Sequence, residues 1–294
     1  TASMCAGGSA TFSVVAGGTS PFVYQWEYSS NGTTWSTVAN ATPAGASYSG
    51  ATGQSLTVSG ITTAGNYQYR CYITNCSGVN NTTSNPAILT VNANPPQPVI
   101  TADGPVTFCS GEDVVLTATE SAGYQWSNGA TTRSITVNTT GPFTVQVTNA
   151  AGCQSVLSAT TVVAVNPLPS RPTITPSGSV SICAGTSQTL TSSSGVTYLW
   201  STGATTPSIS VSTTGSYTVQ VTNSYGCFSQ ASLATNVTVN PLPATPTITA
   251  TGSTTFCEGG SVTLTSSVSS SYLWSTGATT RSISVNSTGN FWVR

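Results

Sequence analysis

Apolar and polar residues alternate with a period of two over short runs along the chain, and no window repeats at the helical period. Residues 172–240 show the pattern. PTITPSG is a short strand and a turn, SQTLTSS and VTYLWS are two more strands, and STGATT is a turn around Gly203. PSISVS is a strand, TTG a turn, SYTVQVTNSYG a long strand and ASLATNVTVN the last one. Tyr217, Val219 and Val221 fall on one face, Thr218, Gln220 and Thr222 on the other, as in a sheet with one buried side. Some seven strands with frequent turn signals predict an antiparallel sandwich.

The pattern recurs. Cys109, Cys183 and Cys257 are spaced by 74 residues, as are Trp126, Trp200 and Trp274, and residues 126–153 match 200–227 at 20 of 28 positions. VNANPPQP (91–98), VNPLPSRP (165–172) and VNPLPATP (239–246) punctuate the repeat, each with three prolines that favour an extended, semi-rigid spacer. The expected fold class is all-β. Four tandem immunoglobulin-like domains form a rod, at 1–92 (a longer variant), 93–166, 167–240 and 241–294. The first and last read as incomplete. Domain one begins at its cysteine without a PTITPSG-like strand, and domain four stops before its last strand. A slice of a longer chain is the expected reason; completion by neighbours through strand addition is the alternative.

Composition narrows the chemistry. The 294 residues include no His and no Lys, are 4% charged and carry net charge −1. That excludes an imidazole base, a Schiff-base lysine and a P-loop lysine. It leaves no basic stripe for nucleic acid or anionic lipid, and no apolar run reaches the ~20 residues of a membrane helix. No enzyme activity, cofactor or metal is expected. Glu112-Asp113 is too few ligands for calcium and is replaced by Thr186-Ser187 in the next repeat.

The pattern Y-x-W-S-x-G-A-T-T-x-S-I-x-V-x-x-x-G-x-[YF] at 124–143, 198–217 and 272–291 resembles the immunoglobulin-like, PKD-like repeats of large Bacteroidetes surface proteins. So do the V-N-P-L-P linkers and the G-C turn. Domain one resembles the companion type, with C-x-G-x-x-A-x-F-S-V at its start and Y-R-C-x-x-T-x-C near its end. The resemblance implies type IX secretion cargo of adhesin or gliding-filament type, extracellular and attached to the cell surface.

Eight cysteines without CxxC spacing or His partners read as a disulfide framework in an oxidising compartment. Cys109 and Cys153 are 44 residues apart, as are Cys183 and Cys227, so the expected pairs lie within domains: Cys109–Cys153, Cys183–Cys227 and, in matching places, Cys5–Cys76. Cys71 is expected as a buried thiol, with Cys5–Cys71 as the rival pairing, and Cys257 as unpaired. Tyr69, two residues before Cys71, occupies the position of a tyrosine corner.

Trp126, Trp200 and Trp274 are expected in the core. Trp35, Tyr225 and Trp292 are the candidates for surface recognition. The expected function is a structural stalk or filament segment that spaces a distal binding domain, with neighbouring domains or copies of the protein as partners. The alternative is a carbohydrate-binding module array that takes surface glycans. A third reading is an accessory region of a secreted hydrolase.

Overall fold

The computed structural model describes residues 1–75 and 81–294, which form two compact units, Thr1–Leu168 and Pro169–Arg294. Among the described residues every regular element is a β-strand, and no helix is long and apolar enough to cross a membrane.

The first unit holds two sandwiches. In the first, the strands Ser9–Ser13, Ser55–Ser59 and Ser47–Ser49 form one sheet. The other runs in the order Ala2–Cys5, Ala87–Asn92, Gly65–Asn75, Phe22–Ser29, Ser36–Thr37. Between them lie Trp26, Leu56, Tyr69 and Leu89. Among the described residues, no strand of this domain corresponds to Ile100–Ala102, which opens the second sandwich by pairing with Val114–Ala118.

The second and third sandwiches share one plan. Val114–Ala118 and Gln188–Ser192 are flanked by Ser134–Val137 and Ser208–Val211. Facing them, Thr161–Asn166 lies between Thr107–Cys109 and Gly141–Phe143, and Thr235–Asn240 lies between Ser179–Cys183 and Gly215–Tyr217. Among the described residues the strand pairs are antiparallel except one in each of the first three domains. There the last strand runs parallel to the strand that ends in Cys5, Cys109 or Cys183. That strand ends at the cysteine, a detail the alternation pattern misses because it is only three to five residues long.

Trp126, Trp200 and Trp274 are buried at the centre of their domains. Each indole N–H donates to the carbonyl of the threonine six residues on, Thr132, Thr206 and Thr280, at 2.8 Å. The ring's polar edge is thereby satisfied inside an apolar core.

Three expectations change. The long strand at 216–226 is two strands. It breaks at Thr218, with Gly215–Tyr217 in one sheet and Val219–Val221 paired to Tyr198–Trp200, and Thr222 is buried rather than outward. The last strand is Thr235–Asn240, shorter than 231–240, because the residues before it have a different task. Ser229 and Ser232 accept hydrogen bonds from the Val221 and Val219 amides at 3.1 Å and donate their own amides back to the carbonyls of the same valines. Ser155 and Ser158 do the same for Val147 and Val145, so buried strand amides without a neighbouring strand still find acceptors. Finally, the tyrosine-corner geometry belongs to Tyr67, whose hydroxyl donates to the Thr63 carbonyl at 2.9 Å, and to Tyr217 with Thr213. Tyr69 instead meets the Tyr48 hydroxyl.

Candidate functional site: a cross-linked joint

The chemistry is concentrated where the first two domains meet. Cys5 is bonded to Cys153, 148 residues away, with Cα atoms 5.5 Å apart. This corrects both expected within-domain pairs, Cys5–Cys76 and Cys109–Cys153, and the rival Cys5–Cys71. Cys76 itself lies outside the described residues. The expected Cys183–Cys227 pair is also absent: Cys183 is a free, exposed thiol, whereas Cys109 and Cys227 are both disulfide-bonded. Cys71 is a buried free thiol and Cys257 an exposed one.

Sheet register explains the correction. Cys109 is opposite Asn166, at the end where the chain leaves the second domain. Cys153 sits in the turn at the entry end, its sulfur 4.0 Å from the Asn92 carbonyl oxygen. The two cysteines of one repeat therefore occupy opposite ends of a sandwich. Equal spacing reported equal placement in each repeat and did not report contact. Cys5, opposite Asn92, is at the exit end of domain one and so meets the entry-end cysteine of domain two.

The linker is held on both sides. Asn92 Nδ2 donates to the Met4 carbonyl at 3.4 Å and Asn94 Nδ2 to the Ala6 carbonyl at 3.1 Å, both on the domain-one side. On the domain-two side, Asn149 Nδ2 donates to the Ala93 carbonyl and Gln97 Nε2 to the Leu157 carbonyl, both at 2.8 Å. Prolines 95, 96 and 98 restrict the backbone between these anchors. A cross-link closing so long a loop stabilises by about 5 kcal/mol on the chain-entropy account. In the sequence this joint is marked by polar residues in the linker and by C-x-S-x-x-S at 153–158, repeated at 227–232.

The recognition candidates are separated. Trp35 is half-buried in domain one, with the Arg70 guanidinium 4.2 Å above its ring and Arg70 in turn paired to Glu27 at 2.7 Å, so one face is already covered. Tyr225 is exposed in the third-domain turn that carries Cys227, with its amide on Asn223 Oδ1. Trp292 is 53% exposed in the fourth domain, with Arg294 5.9 Å from its ring. Tyr225 and Trp292 thus lie in different domains of their unit, and neither belongs to a cluster of exposed aromatics. Glu112 caps a turn by accepting from the Cys109 amide at 3.2 Å.

These features define a chain of tandem immunoglobulin-like β-sandwich domains with a covalent link between the first two. No protein-family model matches the sequence, and no curated protein does. Among solved structures it is similar to Drosophila OTK extracellular domains 3–5, at 13% identity and TM-score 0.28, over 82% of this chain and 94% of that one. It is also similar to the three N-terminal domains of the bacteriophage RB49 outer capsid protein Hoc, at 14% identity and TM-score 0.31, over 80% of this chain and 95% of that one.

Proposed function

We propose that the chain is a load-bearing spacer of an extracellular surface protein, a stalk or filament segment whose work is mechanical rather than catalytic. The observation that carries this reading is the Cys5–Cys153 bond. Tension entering at Thr1 reaches Cys5 after four residues and crosses to Cys153 through the disulfide. Apart from Met4, the described core of domain one, and most of domain two, lie outside that path. Such a bond persists in an oxidising, secreted environment, which agrees with the resemblance to surface-attached bacterial adhesins and filaments. Sparse charge and absent lysine suit a surface that neighbouring domains or copies of the protein cover.

The test is single-molecule extension of the intact protein with handles at Thr1 and Leu168. The oxidised form withholds the 148-residue segment, and reduction releases ~500 Å of extra contour length. Equal extension in both forms contradicts the reading. The glycan-binding alternative is favoured by one observation, the exposed Trp292.

A further inference from the structure

The sequence contains two Asn-Gly pairs, Asn31-Gly32 and Asn128-Gly129, and both asparagines are exposed in loops. Both glycines have positive φ, 76° and 88°. The two loops differ in what surrounds the side-chain amide. Ser29, which ends the strand Phe22–Ser29, is buried. Its Oγ accepts from the Gly32 amide at 2.9 Å and from the Asn31 amide at 3.3 Å, and it donates to Asn31 Oδ1 at 3.1 Å. The amides of Thr33 and Thr34 also donate to Asn31 Oδ1, both at 2.9 Å. A Cβ on residue 32 would meet Gln68 Nε2 at 2.7 Å, so the crowded loop takes glycine there. At the second pair, the Gly129 amide donates to the Trp126 carbonyl at 2.9 Å, and Asn128 Oδ1 accepts from the Ala130 amide at 3.1 Å. A carbonyl takes such a bond but has no proton to pass on.

We propose that the Ser29–Thr34 loop is a self-modification site that converts Asn31 to aspartate and isoaspartate, with the Ser29 hydroxyl as its proton relay. The Gly32 nitrogen adds to the Asn31 side-chain carbon. Its proton passes to Ser29 Oγ while Ser29 gives its own to Oδ1. The Thr33 and Thr34 amides stabilise the charge that gathers on that oxygen. The tetrahedral carbon then re-forms its carbonyl, the Oδ1 proton moves to the departing nitrogen, and ammonia leaves behind a succinimide. Water opens the ring at either carbonyl, so the sum is Asn plus water giving a carboxylate plus ammonia. The product adds one negative charge to a chain of net charge −1. The relay exists only in the folded domain, so the fraction converted records the time since folding. This goes beyond the spacer reading and does not rest on it.

The test is incubation of the intact protein at neutral pH, folded in one arm and reduced and unfolded in guanidinium chloride in the other. Conversion is followed by mass spectrometry of chymotryptic peptides, 29–35 for Asn31 and 127–143 for Asn128. In the unfolded chain the two sites, both Asn-Gly, should react at similar rates. Folding should speed Asn31 by about tenfold or more, the scale of a positioned proton relay, and should not speed Asn128. The unfolded rate should climb in proportion to hydroxide, and the folded Asn31 rate less steeply, because Ser29 takes the Gly32 proton. Ser29→Ala should slow folded Asn31 by about tenfold or more and leave Asn128 unchanged, with Trp26 emission reporting that the domain still folds. Should that variant unfold, the two arms of the parent protein decide. Equal Asn31 rates in the folded and unfolded chains, or a folded Asn128 rate equal to that of Asn31, overturns the proposal. So does a folded Ser29→Ala protein that converts Asn31 at the parent rate.

Discussion

The side-chain amide of Asn149 donates to the Ala93 carbonyl at 2.8 Å, tying the second domain's late turn to the linker that leaves the first. The same side chain shapes the turn, because its Oδ1 accepts from the amides of Ala151 at 3.1 Å and Cys153 at 2.9 Å. One residue therefore both forms the loop that holds Cys153 and points it at Cys5. Asn149→Ala removes all three bonds, and we expect the Cys5–Cys153 couple to become easier to reduce. A loss of ~1.4 kcal/mol corresponds to tenfold in the thiol–disulfide equilibrium. Titration in glutathione buffers, read by the fraction of Cys5 alkylated, measures it; an unchanged midpoint contradicts the role given to Asn149.

Ser158 supplies a buried acceptor to the Val145 amide at 3.0 Å and returns its own amide to the Val145 carbonyl. Ser158→Ala leaves that strand amide without its acceptor. A cost of about 1–3 kcal/mol follows for a buried donor left unmade. Hydrogen exchange at Val145 should accelerate at least tenfold, while Val219, capped by Ser232, keeps its rate. Equal protection of Val145 in the variant and the parent rules this capping out.

Burial pushes the Cys71 thiol upward from its ordinary 9.0, and burial likewise raises the Tyr48, Tyr67 and Tyr69 phenols above 10.0. All four are neutral when protonated, so folding favours the protonated form. Their contribution is fully present below the unfolded values and is lost as pH rises past 9.0 for the thiol and 10.0 for the phenols. With the exposed thiols alkylated beforehand, the urea midpoint of the first domain, followed by Trp26 emission, should hold steady from neutral pH to just below the thiol value and fall above it. Tyr48→Phe, which deletes one of the phenols, should flatten part of the fall. A midpoint that rises with pH across that range contradicts the assignment.

Trp292 supplies the chief ground for the glycan-binding reading. On the spacer account, a glycan array probed with the intact protein gives no signal above background, and Trp292→Ala and Trp35→Ala change nothing. Saturable binding abolished by Trp292→Ala makes recognition the function of the fourth domain.

Much of the fold was legible in the sequence because alternation reports burial directly: Val145, Val147, Val219 and Val221 all face inward as their spacing requires. The core tryptophans were legible from their place on the third strand ahead of a turn, the position of the core tryptophan in immunoglobulin sandwiches. The joint was not. A repeat of 74 residues says that Cys109 and Cys183 are equivalent, yet equivalence under a repeat is compatible with pairing inside a domain or across to the next. Which holds depends on the ends of the sandwich at which the cysteines emerge. That follows from a three-residue strand paired in parallel at Cys109–Asn166, too short to leave an alternation signal. Tyr67 was hidden for a different reason: the proximity of Tyr69 to Cys71 imitated the corner pattern of another domain type.

The spacer account rests on the connectivity of Cys5. The most direct test is peptide mapping of the unreduced protein, alkylated at low pH and cut with chymotrypsin, since only five Arg and no Lys are available to trypsin. The account predicts a cross-linked species that joins the peptide containing Cys5 to the one containing Cys153 and that disappears on reduction. Recovery of Cys5 joined to Cys76, with Cys109 joined to Cys153, would contradict it and return each domain to a separately closed unit.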